Sequence, residues 1–443
     1  MAERTGRRVE GRKGRPSPAL ATGTTEPVGG GPHLKARVGK DGRLILPAGI
    51  THRLGLVPGT EVPIAAVAGR VEILPNIHSL SRLYIEPTSR CNLTCTTCIR
   101  NTWKEPLGDM DWAVFERLTG QLGRFEHLES VMFGGFGEPT AHARIVDMIR
   151  AVKELGLRVE MVTNGTLFDE ALLRALHEAR IDTLWVSFDG MAEEVFEEIR
   201  RGANFRRVVE SLKALKALNA RGGHAVEVGL AVVVMRKNVN DLAHLYEIVE
   251  LTGARKVSVS NVLPYTPEME KEMVCRLTLA LDTFSEAPGK PAVSLPRIDF
   301  NPITRDALLS LFWGYANLDM MGNPISARTG NCRFIKDRAT FVRWDGKVAP
   351  CMGLLHSHTT TLHSTDRAIE GYVVGDVASG DLFDIWNSEE YRAFREKVNA
   401  FDFAPCHLCG GCSLLEANKE DCFGNSFPAC GGCLWAHGVI QCP

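Results

Sequence analysis

From Leu80 to about Pro264, short apolar runs alternate with amphipathic segments of helical period, and few architectures accommodate that order. The runs lie at 83–86, 129–133, 158–162, 183–188, 228–235 and 256–260. Between them Phe115, Leu118, Leu122 and Phe125 fall on one helical face, as do Ile145, Met148, Ile149, Val152 and Leu155. Phe205, Val208, Val209, Leu212 and Leu215 repeat the pattern. Strand–helix units of this length return the chain to a parallel neighbour by right-handed crossovers. The sequence therefore predicts an α/β fold whose parallel sheet curves into a full or partial barrel.

All strand C-termini of such a barrel open on one rim, where the connecting loops build a site. Four of these loops carry chemistry. After the first strand comes Cys91-Asn92-Leu93-Thr94-Cys95-Thr96-Thr97-Cys98, spaced C-x3-C-x2-C. Gly134-Gly135-Phe136-Gly137-Glu138-Pro139 follows the second strand, Thr163-Asn164-Gly165 ends the third, and Ser187-Phe188-Asp189-Gly190 ends the fourth. Three thiolates on one loop can hold a [4Fe–4S] cluster while leaving one iron open to a small molecule. Glycines 134, 135 and 137 let backbone carbonyls approach an ammonium group closely. Glu138 can accept hydrogen bonds there, and Asn164, Ser187 and Asp189 can reach hydroxyls. Arg200 or Arg201 can pair with a carboxylate. The rim suits a zwitterionic ligand that carries a ribose.

Of the thirteen cysteines, Cys406, Cys409, Cys412, Cys422, Cys430, Cys433 and Cys442 crowd into the last 38 residues. No charged start precedes an apolar run and cleavage site, so the clustering reads as cluster ligation in a cytoplasmic chain rather than as disulfides. With Cys332 and Cys351, nine cysteines are available to supply eight ligands for two clusters, one remaining spare. A zinc ribbon built on the Cys406/Cys409 and Cys430/Cys433 pairs is the alternative. Cys275, alone in a helical stretch, reads as a small buried hydrophobe. His356, His358 and His363 read as part of a polar insertion. Trp103 and Glu105 are expected either to line a pocket or to pack, and Trp185 to lie in the core.

Residues 1–33 hold six basic and three acidic residues without an apolar period, and are expected to form a disordered tail. Residues 34–77 form a small unit of short strands punctuated by Lys40-Asp41-Gly42 and Leu56-Val57-Pro58-Gly59. The barrel is expected over 78–264, a mostly helical connector over 265–331 and a cysteine-rich domain over 332–443. A formal charge of -2 argues against a dedicated nucleic-acid binder. The longest apolar runs, such as Leu230 to Met235, are too short to span a bilayer.

Cys91, Cys95 and Cys98 on the first barrel loop resemble the signature of the radical S-adenosylmethionine (radical SAM) superfamily. That resemblance implies a cluster that reduces the sulfonium of S-adenosylmethionine, and a 5′-deoxyadenosyl radical that takes a hydrogen atom from substrate. It also implies a low-potential reductant, ferredoxin or flavodoxin, and activity only without oxygen. Thr97 departs from the family, which usually carries an aromatic residue before the last cysteine. Cys332, Gly346 and Cys351, spaced C-x13-G-x4-C, resemble the opening of the SPASM domain, which holds auxiliary [4Fe–4S] clusters. The later cysteines depart from that domain's usual spacing. The 34–77 unit is similar to swapped-hairpin domains that dimerise and often bind DNA; with six basic residues against three acidic, docking or dimerisation is the expected role ahead of DNA binding. Tyr84-Ile85-Glu86-Pro87-Thr88, the stretch from Asn101 to Gly108, and Cys430-Gly431-Gly432-Cys433-Leu434-Trp435-Ala436 resemble the maturases of tungsten-pterin aldehyde ferredoxin oxidoreductases. A peptide-modifying maturase is the second reading, and an iron–sulfur redox-sensing regulator the third.

Overall fold

A computed structural model describes residues 35–275 apart from 60, 63, 68, 69 and 104, residues 292–324 apart from 297, 300, 314–316 and 321–322, and residues 332–443. The basic tail, and much of the expected connector, lie outside the described residues. Six strands carry the barrel: β1 (Arg82–Ile85), β2 (Ser130–Phe133), β3 (Arg158–Thr163), β4 (Thr183–Ser187), β5 (Glu227–Val234) and β6 (Lys256–Asn261). They pair in sequence order and all in parallel. In β1 and β2, Leu83, Ile85, Val131 and Phe133 are fully buried, while Tyr84 and Met132 line a cavity on the opposite face. That alternation is the period of two inherent to a strand.

The crossover helices form where side-chain caps and apolar stripes agree. Asp111, Asp169 and Asn204 each accept a hydrogen bond from a first-turn N–H of the helices Trp112–Thr119, Glu170–Glu178 and Phe205–Ala220. In Ile145–Glu154 the buried stripe is Ile145, Met148, Ile149 and Val152. Leu155 does not continue it: the helix stops one residue earlier, and its side chain is largely exposed.

The sheet stays open. Its β1 edge is covered by β7 (Ala339–Val342), which pairs in parallel with β1 and turns through Asp345 and Gly346 into antiparallel β8 (Lys347–Ala349). Gly346 takes φ +85°, which favours glycine at that turn. β9 (Gly375–Asp376) closes the order, so the opening hairpin of the cysteine-rich region is an extension of the barrel sheet. An unpaired β1 edge beside the first loop would leave its backbone groups unsatisfied.

Within the expected connector the described elements are mixed: helices Pro267–Lys271 and Arg305–Trp313, and strands Ala292–Leu295, Asn317–Met320 and Asn323–Pro324. The chain divides into two compact units at Thr51–His52. The first holds the strands Arg37–Val38 and Leu44–Ile45, and the hairpin Ile64–Val67 with Arg70–Ile73 belongs to the second. No helix among the described residues is long and apolar enough to cross a membrane.

Candidate radical site and auxiliary cluster sites

The three-cysteine loop is pinned by its backbone. Thr94 and Thr96 donate their N–H groups to the carbonyls of Arg201 and Ile199, at 3.1 and 2.9 Å. The Cys91 sulfur lies 3.4 Å from the Leu93 nitrogen and 3.7 Å from Asn164 Nδ2. Burial pushes the Cys95 thiol up to about 11, while Arg200 pulls the other way, and burial raises Cys98 as well. Thiols this desolvated ionise only against a nearby positive charge, and with Cys91 on the same loop they fit an iron–sulfur cluster.

Beside this loop lies a cavity of about 210 Å³. Gly134, Gly135, Ser187, Asp189, Arg200 and Thr97 line it, so the loops after β1, β2 and β4 meet at one space. Arg200 Nε and Asp189 Oδ2 form a buried ion pair at 3.0 Å. Asp189 Oδ1 accepts the Val233 N–H at 2.8 Å, which ties β4 to β5. Arg201, by contrast, is exposed.

Gly137, Glu138 and Asn164 do not line this cavity; they hold its walls. A Cβ on Gly137 would sit 2.0 Å from the Thr88 carbonyl oxygen, so only glycine lets the second loop lie on the first. Glu138 Oε1 accepts the Thr163 hydroxyl at 2.6 Å and the Thr140 N–H at 3.0 Å, and Oε2 accepts the Asn164 N–H at 2.7 Å. Its oxygens staple β2's loop to the end of β3. Asn164 Nδ2 also donates to Asn92 Oδ1 at 3.0 Å, beside Cys91.

Eight of the nine C-terminal cysteines separate into distinct places. Cys332, Cys351, Cys430 and Cys433 line one cavity of about 60 Å³, with Leu354, Phe394 and Val398 around them. Burial lifts Cys332 to about 12 and pushes Cys351 and Cys430 well up. Cys406 instead lies within electrostatic reach of Cys409 and Cys422. Cys442 belongs to neither group: it lines the larger cavity beside Tyr84 and Tyr265. Among the described residues no three His, Cys, Asp or Glu side chains converge closely enough for a single metal ion. Cys275 is buried in an apolar cluster with Met273 and Tyr265.

The polar-insertion reading of the histidines needs correction. His358–Leu362 is a strand paired with Thr365–Ile369, and His356 is wholly buried between Glu86 and Glu105. Trp103 packs on His356 and Phe136, and Trp185 is a core residue whose Nε1 donates to Glu160 at 3.0 Å. The sequence offered one overlooked signal: Glu86 is the first residue past β1, at the rim.

Comparison with known proteins identifies the family. The radical SAM superfamily model matches residues 85–249, and the iron–sulfur cluster-binding SPASM domain matches residues 332–413. A Pyrococcus furiosus tungsten-containing aldehyde ferredoxin oxidoreductase cofactor-modifying protein is 31% identical over 82% of this chain and 96% of its own length. The chain belongs to the radical SAM superfamily. A PqqA peptide cyclase from Gluconobacter oxydans is 30% identical over 41% of this chain and 49% of its own. The crystal structure of Streptococcus suis SuiB bound to precursor peptide SuiA shares the fold, with a TM-score of 0.50 at 17% identity over 75% of this chain and 70% of that one. This radical SAM protein is an enzyme, and its cofactors are S-adenosylmethionine and [4Fe–4S] clusters.

Proposed function

We propose that this radical SAM enzyme matures a tungsten-containing aldehyde ferredoxin oxidoreductase, by modifying its pterin cofactor or its polypeptide. The carrying observation is the 31% identity to the Pyrococcus cofactor-modifying protein, which runs through 96% of that protein. Cys91, Cys95 and Cys98 hold the reducing cluster. When bound, that cluster supplies the electron that cleaves the sulfonium of S-adenosylmethionine. Gly134, Gly135, Ser187, Asp189 and Arg200 face the ligand, and Gly137, Glu138 and Asn164 hold the loops that present them. Arg200, already neutralised on one edge by Asp189, offers its remaining N–H groups to a carboxylate.

Cys332, Cys351, Cys430 and Cys433 hold one auxiliary cluster around their common cavity, and Cys406, Cys409, Cys412 and Cys422 hold a second. Cys442 is then the spare thiol. A ferredoxin or flavodoxin delivers the electrons, and the thirteen free cysteines suit the reducing cytoplasm. DNA has no part in this reading.

Co-expression with a tungsten aldehyde oxidoreductase from the same cell tests it, with the maturase, without it, and with Cys95→Ala. Mass spectrometry of the extracted pterin and of the polypeptide reads the outcome. A Cys95-dependent change in the pterin establishes cofactor chemistry, and one in the polypeptide establishes peptide chemistry. No change in either removes the tungsten assignment.

A further inference from the structure

His356 stands where three segments meet. Its Nε2 lies 2.9 Å from Glu86 Oε2, at the end of β1, and its Nδ1 lies 2.7 Å from Glu105 Oε2, on the stretch that follows the three cysteines. A neutral imidazole carries one N–H and can donate to only one of two carboxylates. Two carboxylates on two nitrogens therefore call for the imidazolium. Burial by itself would lower His356, yet the hydrogen bonds to Glu105 and Glu86 carry it above its ordinary value. Burial likewise works against Glu105, but His356, the Ser357 N–H and Arg343 bring that carboxyl down to about 2. Arg343 Nη2, from the β7–β8 turn, lies 3.0 Å from Glu105 Oε2 and 3.0 Å from Asp345 Oδ2. Among the described residues a further titratable neighbour is His358, whose Nδ1 lies 2.9 Å from the His356 carbonyl oxygen and which burial lowers to about 4.

The far side of Glu86 reaches the glycine-rich turn. Its Oε1 accepts the Phe136 N–H at 3.1 Å, and a Cβ on Gly135 would sit 2.6 Å from the same side chain. Gly134, Gly135 and Phe136 line the larger cavity. We propose that His356 is a positioning residue for S-adenosylmethionine: by donating to Glu86 and Glu105 at once, it fixes Glu86 beneath the 134–138 turn and sets the backbone the ligand meets. This rests on the reading that the turn faces S-adenosylmethionine. His356 thereby links the C-terminal region to the cofactor loop through a chain of charges, apart from the residues of that region, such as Cys442, that line the cavity themselves.

The test is titration of S-adenosylmethionine into reconstituted full-length protein, from about pH 6 to about pH 9, with a parallel measurement of kcat. A histidine whose folded pKa is raised donates both bonds below that pKa and loses one of them as pH rises through it. The wild-type Kd is expected to weaken on the alkaline side. Glu105→Gln moves that inflection to lower pH, because one partner of the imidazolium is gone. His356→Gln weakens the Kd about tenfold and removes the inflection, with kcat at saturating ligand unchanged. A wild-type Kd and inflection in His356→Gln overturn the proposal. Should that variant fail to fold, an unmoved inflection in Glu105→Gln does so. Asp189→Asn separates the two readings: if it leaves the Kd unchanged, the cavity assignment falls along with the proposal, whereas a weaker Kd there beside an unaffected His356→Gln removes the positioning role alone.

Discussion

Two groups of thiols in this molecule are built in opposite ways. Cys91, Cys95 and Cys98 share one eight-residue loop, whose backbone is held by the carbonyls of Ile199 and Arg201. Cys332, Cys351, Cys430 and Cys433 come from the start of a helix, the end of the β7–β8 hairpin and a segment some eighty residues further on, and meet only around a shared cavity. Their surroundings differ too. The first group adjoins a cavity of about 210 Å³ with a buried ion pair on its wall, and the second lines one of about 60 Å³ faced by Leu354, Phe394 and Val398. On the function proposed above, the first group would hold the cluster that meets a ligand, which needs an open neighbour, and the second a closed one. The local group is a motif, and the dispersed group is a consequence of folding.

The sharpest way to break this comparison is to remove one thiol of each kind. Cys95→Ala should abolish 5′-deoxyadenosine formation outright and lose about four irons per chain. Cys351→Ala should also lose about four irons, but it should lower the melting temperature more, because its cluster ties together segments far apart in sequence. Cys442→Ala should keep its full iron content in the same assay. Iron loss from Cys442→Ala equal to that from Cys351→Ala would return Cys442 to the ligands.

A smaller effect probes how the local loop is held. Gly137→Ala pushes a methyl group to 2.0 Å from the Thr88 carbonyl oxygen, a backbone contact that no rotamer can relieve. It should destabilise the protein by about 1–3 kcal/mol in thermal unfolding and weaken S-adenosylmethionine binding. The smallest effect concerns the tie between the two regions. Glu105, whose side chain is 21% exposed, is lowered from 4.5 to about 2, so its contribution is full above pH 4.5 and is lost as pH falls toward 2. That difference is worth at most about 3 kcal/mol, less for the part of the carboxylate still in water. Urea unfolding of the apoprotein across that range should lose stability more steeply in the wild type than in Glu105→Gln.

Much of the barrel was legible beforehand. The strands at 83–86, 129–133 and 158–162 form within a residue of their expected places, because apolar period and Asp or Asn caps agree there. Leu155 shows the limit: it fits the helical stripe but lies past the end of the helix, where about half of it stays exposed. At the rim, strand ends told which loops would meet, but not which atoms would look inward. Glu138 has the chemistry to meet an amine, yet the donors Thr163 and Asn164 lie on the neighbouring strand end and take its oxygens.

The sequence by itself determined the parallel sheet, the rim and the three-thiol loop, since each depends on residues within one strand–loop–helix unit, where period, capping and spacing act locally. Only the tertiary structure decided that β7 joins the barrel sheet, that four of nine late cysteines share one cavity while Cys442 faces another, and that His356 lies between two carboxylates 270 and 251 residues away in sequence. Those are long-range outcomes. They follow from edge pairing and from the need to satisfy buried charge, and neither leaves a trace in spacing, because the partner of a buried group is chosen by the fold as a whole.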